Sequence, residues 1–199
     1  MASYPAANVA AMDFDWNFQL AEQLDFHWRV QLRPRLDGLT DEEYFWEPVP
    51  GCWSIRRRGQ ATAPHAFGVG EFVYEFDVDS DPAPVTTIAW RLAHVIVGCF
   101  GARTAGHFDG PGPADHSAYW RAFDFAGTAN EALHQLDDAY ALWMAGVRAL
   151  GNDGLTLPCG PAEGPYAEDP MAALVLHVHR EVLHHGAEIS LLRDLYRRR

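Results

Sequence analysis

Apolar residues recur at helical spacing in four long stretches of the chain. In the first stretch they stand at Phe18, Leu20, Leu24, Trp28, Leu32 and Leu36. This spacing predicts a first long helix from about Phe14 to Leu36. The second stretch, from about Thr86 to Thr104, has only Arg91 and His94 as strongly polar residues in its middle. We therefore expect a second long helix that is buried around most of its circumference.

The other two long helices carry recognisable start and stop signals. Thr128 and Glu131 have the spacing of a capping box that starts the third helix, and Gly151 is placed to end it. Asp169 as N-cap and Pro170 as the first helical residue are predicted to start the fourth. The expected fold class is all-α, a four-helix bundle with an up-down-down-up or related topology.

The segment between the first two long helices lacks their helical spacing of apolar residues. Thr40 and Glu43 predict a short helix that begins with a capping box. The stretch from Pro48 to Ser54 suits no regular element and predicts an ordered loop held by its aromatic residue. From Gly70 to Val78 apolar and acidic residues alternate, which predicts a strand and one arm of a β-hairpin. We expect residues 56–84 to form an insertion within a single domain of residues 1–199.

Composition excludes several classes of protein. The chain has 199 residues, 48% of them hydrophobic, which is enough for a core and too apolar for general disorder. A formal net charge of -12 argues against nucleic acid as a partner. We find no apolar run long enough to span a membrane and no signal-peptide pattern at the N-terminus. Three widely spaced cysteines indicate free thiols and a cytoplasmic location, with Cys99 as a core residue.

The fourth helix carries the strongest chemical signal. Four histidines lie in nine consecutive residues among the apolar positions of this helix, at His177, His179, His184 and His185. A helical projection places His185 within the apolar stripe and Glu181, one turn earlier, near its edge. The same projection places His184 and His177 on the flank and His179 toward solvent. Glu181 and His185 thus present an oxygen and a nitrogen ligand inward, or else form a buried histidine–carboxylate hydrogen bond.

His94 is the candidate for a third ligand. It lies in the most apolar helix of the chain, where an imidazole needs a partner. One interpretation is a satisfied core histidine. The other is a metal site with Glu181 and His185, because two histidines and one carboxylate leave a coordination position open, as in catalytic sites. Ligand type alone does not choose between Zn, Ni, Fe and Mn.

A rival interpretation is a di-iron site. Glu131 with His134 and Glu181 with His184 both match the Glu-x-x-His pattern of di-iron carboxylate bundles. Such sites also need a carboxylate from each of the other two helices, and the second helix contains no Asp or Glu. The mononuclear triad is therefore preferred.

The chain resembles the DinB-like superfamily, which includes mycothiol-dependent maleylpyruvate isomerases and bacillithiol transferases. The resemblance rests on three markers in order: the segment from Leu36 to Glu43 followed by the run from Pro50 to Ile55, His94 in Arg-Leu-Ala-His-Val, and the run from Arg180 to Ile189 followed by Leu191 to Asp194. It implies a metal-binding four-helix bundle whose triad is His94, Glu181 and His185. Many members have His where this chain has Glu181, whereas the maleylpyruvate isomerase branch has Glu there.

The resemblance also implies a function. A divalent metal ion, with Zn or Ni as the first candidates, would ionise a low-molecular-weight thiol such as mycothiol. The thiol would then be transferred or added to an electrophilic small molecule. His184 would serve as a supporting group or proton shuttle; the alternative is that it is a flank residue at the surface. Arg91 would orient an anionic substrate; the alternative is that it forms an internal ion pair. A metal-dependent hydrolase and a non-catalytic metal- or ligand-binding bundle remain open as functions. A homodimer is a further expectation.

Overall fold

The computed structural model describes residues 14–199, and it begins with one long helix of mixed pitch. This helix, α1, consists of α-helical Trp16–Phe26, π-helical His27–Leu32 and α-helical Arg33–Arg35. Asp15 caps its start, since its side chain accepts a hydrogen bond from the backbone N–H of Phe18 at 2.8 Å. The predicted first long helix is confirmed to within two residues. The N-terminal segment in which we expect no signal peptide falls largely on residues 1–13, outside the described part.

The second long helix, α3, follows the short helix α2, Asp41–Tyr44. It runs as α-helical Ile88–Ala93, π-helical His94–Gly101 and α-helical Ala102–His107. In the π-helical part the backbone N–H of Ala102 bonds to the carbonyl of Val97, five residues back rather than four. The side chain of Thr87 caps the helix by accepting from the N–H of Trp90.

Four more helical elements follow along the chain. A short helix α4, His116–Ala122, leads to the third long helix α5, Ala129–Leu155, which is capped by Thr128. A 3-10 segment, Pro161–Tyr166, precedes the fourth long helix α6, Met171–Tyr196.

Two predicted helix ends need adjustment. Gly151 kinks α5 with a φ of 61°, and one further turn follows before the helix ends. The predicted N-cap Asp169 is wrong by one residue. Pro170 is the N-cap of α6, and no side chain caps it with a hydrogen bond. Because proline has no N–H, one backbone donor fewer needs an acceptor at this helix start.

The insertion is a three-stranded antiparallel sheet. Strands β1 (Ile55–Arg57), β2 (His65–Phe67) and β3 (Phe72–Phe76) lie in the order β1-β3-β2. Strand β3 pairs with both neighbours, and Tyr74 lies opposite both Ile55 and Phe67. The predicted strand is therefore one arm of a hairpin with β2, to which β1 adds a third strand.

A single large cluster of buried apolar residues lies between the long helices. α1 packs on α5 and α6, and α3 packs on α5 and α6. The apolar stripe expected on α6 is Leu174, Val178, Val182, Ile189 and Leu192; the first four are buried and Leu192 is partly buried against the same cluster. The loop before β1 is also ordered as expected, because Trp53 is buried with its ring 6.2 Å from that of Trp90.

The expected mostly helical architecture is confirmed, with the small sheet as its one β element within residues 14–199. The four-helix-bundle topology itself stays a prediction. All three cysteines, Cys52, Cys99 and Cys159, are free and buried. Within the described residues, no helix is both long and apolar enough to cross a membrane.

Candidate metal centre

The fold brings the three predicted ligand residues together. His94 is the first residue of the π-helical part of α3, and Glu181 and His185 lie one turn apart on α6. Each residue offers one ligand atom, and these three atoms all lie within 4.8 Å of one another. α3 packs directly against α6, which is why residues about 90 positions apart in the sequence meet here.

His185 is held between two carboxylates through its two ring nitrogens. Its Nε2 lies 3.5 Å from Glu181 Oε2, and its Nδ1 lies 2.7 Å from Glu188 Oε2. Arg91 Nη1 forms an ion pair with the same oxygen of Glu188 at 3.1 Å. Since an ionised Glu188 can only accept, this contact requires a proton on His185 Nδ1, although Arg91 Nη1 also lies 3.3 Å from that nitrogen. In the tautomer with its proton on Nδ1, the lone pair is on Nε2, on the side of Glu181.

His94 packs between aromatic rings. Its ring is parallel to that of Trp90, with centroids 5.6 Å apart, and edge-on to His185 at 4.6 Å. Burial, followed by the nearby charges of His185 and Arg91, lowers the pKa of His94 to about 3. The imidazole of His94 is therefore neutral at physiological pH and has a lone pair available for a metal ion.

A cavity of about 290 Å³ adjoins the triad. It is lined by His94, Gly98, Cys99, Arg103, Trp120, His177, Val178 and Glu181. Burial, with a further contribution from the charge of Glu181, raises the pKa of Cys99 to about 12, so this residue remains a thiol in the wall of the cavity. A space of this size next to three potential ligands suits a small molecule.

The other histidines of α6 have separate places. His184 is exposed, as expected for a flank residue, and its Nε2 lies 3.3 Å from Glu188 Oε1. His177 is half-buried at the edge of the cavity, with Nδ1 3.8 Å from Glu181 Oε1. The expectation that His179 faces solvent is wrong, because His179 is only 5% exposed. The simple projection failed because the helix is covered on more than one side.

His184, His185 and Glu188 form a second possible ligand group that shares His185 with the first. The two groups use different ring nitrogens of His185, and a neutral imidazole has only one lone-pair nitrogen to give. We favour the triad with His94, because His184 is largely in water, whereas His94 and Glu181 line the cavity.

The di-iron interpretation has no geometric support among the described residues. Glu131 and His134 are exposed and line a different cavity, beside Phe72 and Phe125. They are not part of any group of close metal-binding side chains in residues 14–199.

The structure also assembles a group that sequence reasoning missed. His107 ends α3, His116 starts α4 and Glu163 lies in the 3-10 segment, and their ligand atoms lie within 4.8 Å of one another. Burial opposes ionisation of Glu163, yet hydrogen bonding to His107 and the charge of Arg103 lower its pKa overall. The three residues do not lie on one face of one helix, so helical periodicity could not group them. The only signal in the sequence was two histidines near the connection between α3 and α5.

The fold and these groups define a mostly helical protein with His/Glu clusters suited to a divalent metal ion. The sequence matches the family model of the DinB superfamily over residues 23–189, and the chain belongs to that superfamily. The matched range includes His94, Glu181 and His185, and it confirms the resemblance inferred from the sequence. No curated protein and no solved structure matches the chain.

Proposed function

We propose that this protein is a divalent-metal-dependent enzyme acting on a small molecule at His94, Glu181 and His185. The observation that carries the proposal is the convergence of these three residues beside a cavity of about 290 Å³, which His94 and Glu181 line. A buried structural network would also bring such groups together, but it would not need a cavity beside them.

The donor set fits a divalent ion of the Zn or Ni type. Two neutral imidazoles and one carboxylate are ligands that such ions accept, and three protein ligands leave a position for a substrate. When bound, the ion would supply Lewis acidity that lowers the pKa of a thiol or water molecule at that position. Glu188 supports this arrangement, because it holds Nδ1 of His185 while Nε2 lies on the side of Glu181.

The surrounding residues shape the space for the reactants. Trp120 and Val178 contribute apolar walls that exclude water, and Arg103 contributes the positive charge of the lining. Arg91 is engaged with Glu188, so we assign it to positioning rather than to direct contact with substrate. His184 reaches the triad only through Glu188 and His185, and a role in proton transfer would follow that route.

The reaction we favour is the addition or transfer of a low-molecular-weight thiol to an electrophile. Membership of the DinB superfamily and the resemblance to its thiol-dependent branches support this choice. In this scheme the thiol gives up its proton to solvent water and its sulfur forms a new bond to the electrophilic carbon. In a transfer the leaving group departs with the electrons of the bond that breaks; in an addition those of the attacked double bond take up a proton from water.

The test combines metal analysis with a thiol-dependent assay. Protein purified without chelators is analysed for bound metal, and consumption of monochlorobimane is followed with mycothiol, bacillithiol or glutathione. Glu181→Gln preserves side-chain size but removes the anionic ligand, and it should lower thiol-dependent turnover by more than about 100-fold. Glu131→Gln, an exposed glutamate outside the site, is the matched control and should retain full activity.

Three results would count against thiol transfer. If the protein holds far less than one metal ion per chain, and added Zn or Ni does not restore binding, the proposed catalytic centre does not exist. Consumption of electrophile that ignores the thiol would indicate a metal-dependent hydrolase. Metal binding that depends on Glu181, without turnover of any thiol and electrophile pair, would indicate a binding protein.

A further inference from the structure

The group formed by His107, His116 and Glu163 has the geometry of a second cation site. His107 Nε2 lies 3.0 Å from Glu163 Oε1, and His116 Nε2 lies 3.5 Å from the same oxygen. The side chains of His107 and Glu163 are 4% and 8% exposed, so water competes little for them. The three residues come from three separate elements, which meet only in the folded chain.

The spacing suits a small divalent ion. Ligand atoms about 2.0–2.1 Å from a tetrahedral Zn²⁺ lie about 3.3–3.4 Å from each other. The observed separations of 3.0 and 3.5 Å lie on either side of that value. An ion would therefore fit between these atoms with only small movements of the side chains.

The competing arrangement is a metal-free network centred on Arg103. Its Nη2 lies 3.2 Å from Glu163 Oε2, and its Nη1 lies 3.1 Å from His116 Nδ1 and 3.2 Å from the carbonyl of Gly98. Because a guanidinium only donates, His116 must accept at Nδ1 and carry its proton on Nε2.

That network leaves one polar atom poorly satisfied. His116 Nε2 is buried and has no hydrogen-bond partner, since 3.5 Å to Glu163 exceeds the roughly 2.7–3.2 Å of an N–H···O hydrogen bond. A metal ion would satisfy this nitrogen. The His116 proton would then move to Nδ1, and Arg103, which can only donate, would give up its 3.1 Å contact with that nitrogen and keep those with Glu163 Oε2 and the carbonyl of Gly98.

We propose that His107, His116 and Glu163 bind a second divalent cation, best matched by Zn²⁺, separate from the triad on α3 and α6. The site borders a cavity of about 340 Å³, lined in part by Arg103, Glu163 and His177. Arg103 and His177 also line the cavity beside the triad. The second ion would fasten the segment Pro161–Tyr166 to α3 and α4, and so fix the wall of the first of these cavities that Glu163 and Tyr166 line. This proposal does not depend on the proposed function.

The experiment counts zinc sites in matched variants. Protein stripped of metal is titrated with Zn²⁺ against a chromophoric chelator, and circular dichroism confirms that each variant is folded. Wild type should bind two equivalents. His107→Gln and His94→Gln should each bind one, and the double variant should bind none. His134→Gln, an exposed histidine outside both groups, is the control and should bind two.

The variants separate the two sites. Equal zinc stoichiometry in wild type and His107→Gln would overturn the second site and leave the metal-free network. Loss of one equivalent in His107→Gln, with none lost in His94→Gln, would support the second site while rejecting the triad. Should His107→Gln fail to fold, His116→Gln removes the ligand with the more exposed side chain and serves the same comparison.

Discussion

Glu188 decides how His185 is presented to the candidate metal site. It lies one turn after His185 on α6, accepts from Nδ1 at 2.7 Å and is itself held by Arg91 at 3.1 Å. Histidines that bind metals are usually oriented in this way by a carboxylate on the other ring nitrogen. The sequence offered Glu188 only as part of a family motif, whereas its role follows from the contacts of a single side chain.

We expect Glu188→Gln to weaken zinc binding at the triad by roughly 10- to 100-fold, because the neutral amide holds His185 less firmly and loses the pair with Arg91. The measurement is a competition titration in the His107→Gln background, where only the triad remains. Glu131→Gln is the control. Unchanged zinc affinity in Glu188→Gln would reject the positioning role. An unchanged unfolding midpoint of the metal-free variant would show that the effect is not a general loss of stability.

His179 is a buried histidine whose ring nitrogen Nε2 has no partner within the described chain. Burial lowers its pKa to about 4 from an ordinary value of 6.5. The unfolded chain therefore takes up this proton more readily than the folded protein. The free energy of unfolding is therefore not reduced by His179 above pH 6.5, and it is reduced progressively as the pH falls toward 4.

Wild type should therefore lose about 2 kcal/mol more unfolding free energy than His179→Leu between pH 7.5 and pH 5. Urea unfolding of metal-free protein at both pH values measures this difference. In the exposed control His134→Gln, the pH dependence should match that of wild type. A parallel pH dependence of wild type and His179→Leu would contradict the assignment.

At the scale of elements, the inserted sheet is organised around one buried carboxylate. Glu75 on β3 is fully buried, and its Oε2 accepts from the N–H of Ser54 and from Arg56, while its Oε1 accepts from Thr62 and the N–H of Ala63. Burial disfavours the charge, but these hydrogen bonds lower the pKa of Glu75 overall. The alternating pattern predicted the strand but assigned no role to its acidic residue.

Glu75→Gln should destabilise the protein by about 3 kcal/mol or more, because the amide nitrogen cannot accept from the donors that face it. Denaturant unfolding measures the total effect, and hydrogen exchange should show faster opening in β1, β2 and β3. The control is Glu71→Gln, at an exposed glutamate four residues earlier, with an expected change below about 0.5 kcal/mol. Similar destabilisation by both substitutions would contradict the role of Glu75.

The pitch of α3 is a second property of an element that the sequence did not reveal. A run of apolar residues is compatible with either an α-helix or a π-helix. The apolar stretch from Thr86 to Thr104 therefore predicted a helix correctly but did not predict that part of it is π-helical. Within this part Gly98 stands close to His94: a Cβ at Gly98 would lie 3.4 Å from the His94 ring and 3.0 Å from Trp120. The glycine keeps the cavity open beside the triad.

At the scale of the whole molecule, contacts between distant residues connect the elements. Glu43 was recognised as the capping-box residue of α2, which the structure confirms. Arg193 near the end of α6 adds a buried ion pair to the same carboxylate, at 3.0 and 3.1 Å. Arg33 on α1 likewise pairs with Asp137 on α5 at 2.7 Å. None of these partners could be matched from sequence, because pairing depends on how helices are placed beside each other.

The sequence by itself determined the local features: the long helices, most of their caps, the strand, and the inward position of Glu181 and His185. These follow from backbone geometry and hydrogen bonding over a few residues, which act in the same way wherever the segment lies. Only the tertiary structure decided which separated segments meet. It placed His94 beside α6, buried His179, gave His185 its partner Glu188, and assembled His107, His116 and Glu163. The physical reason is that burial and coordination depend on distances between elements, and these arise from the packing of the whole chain.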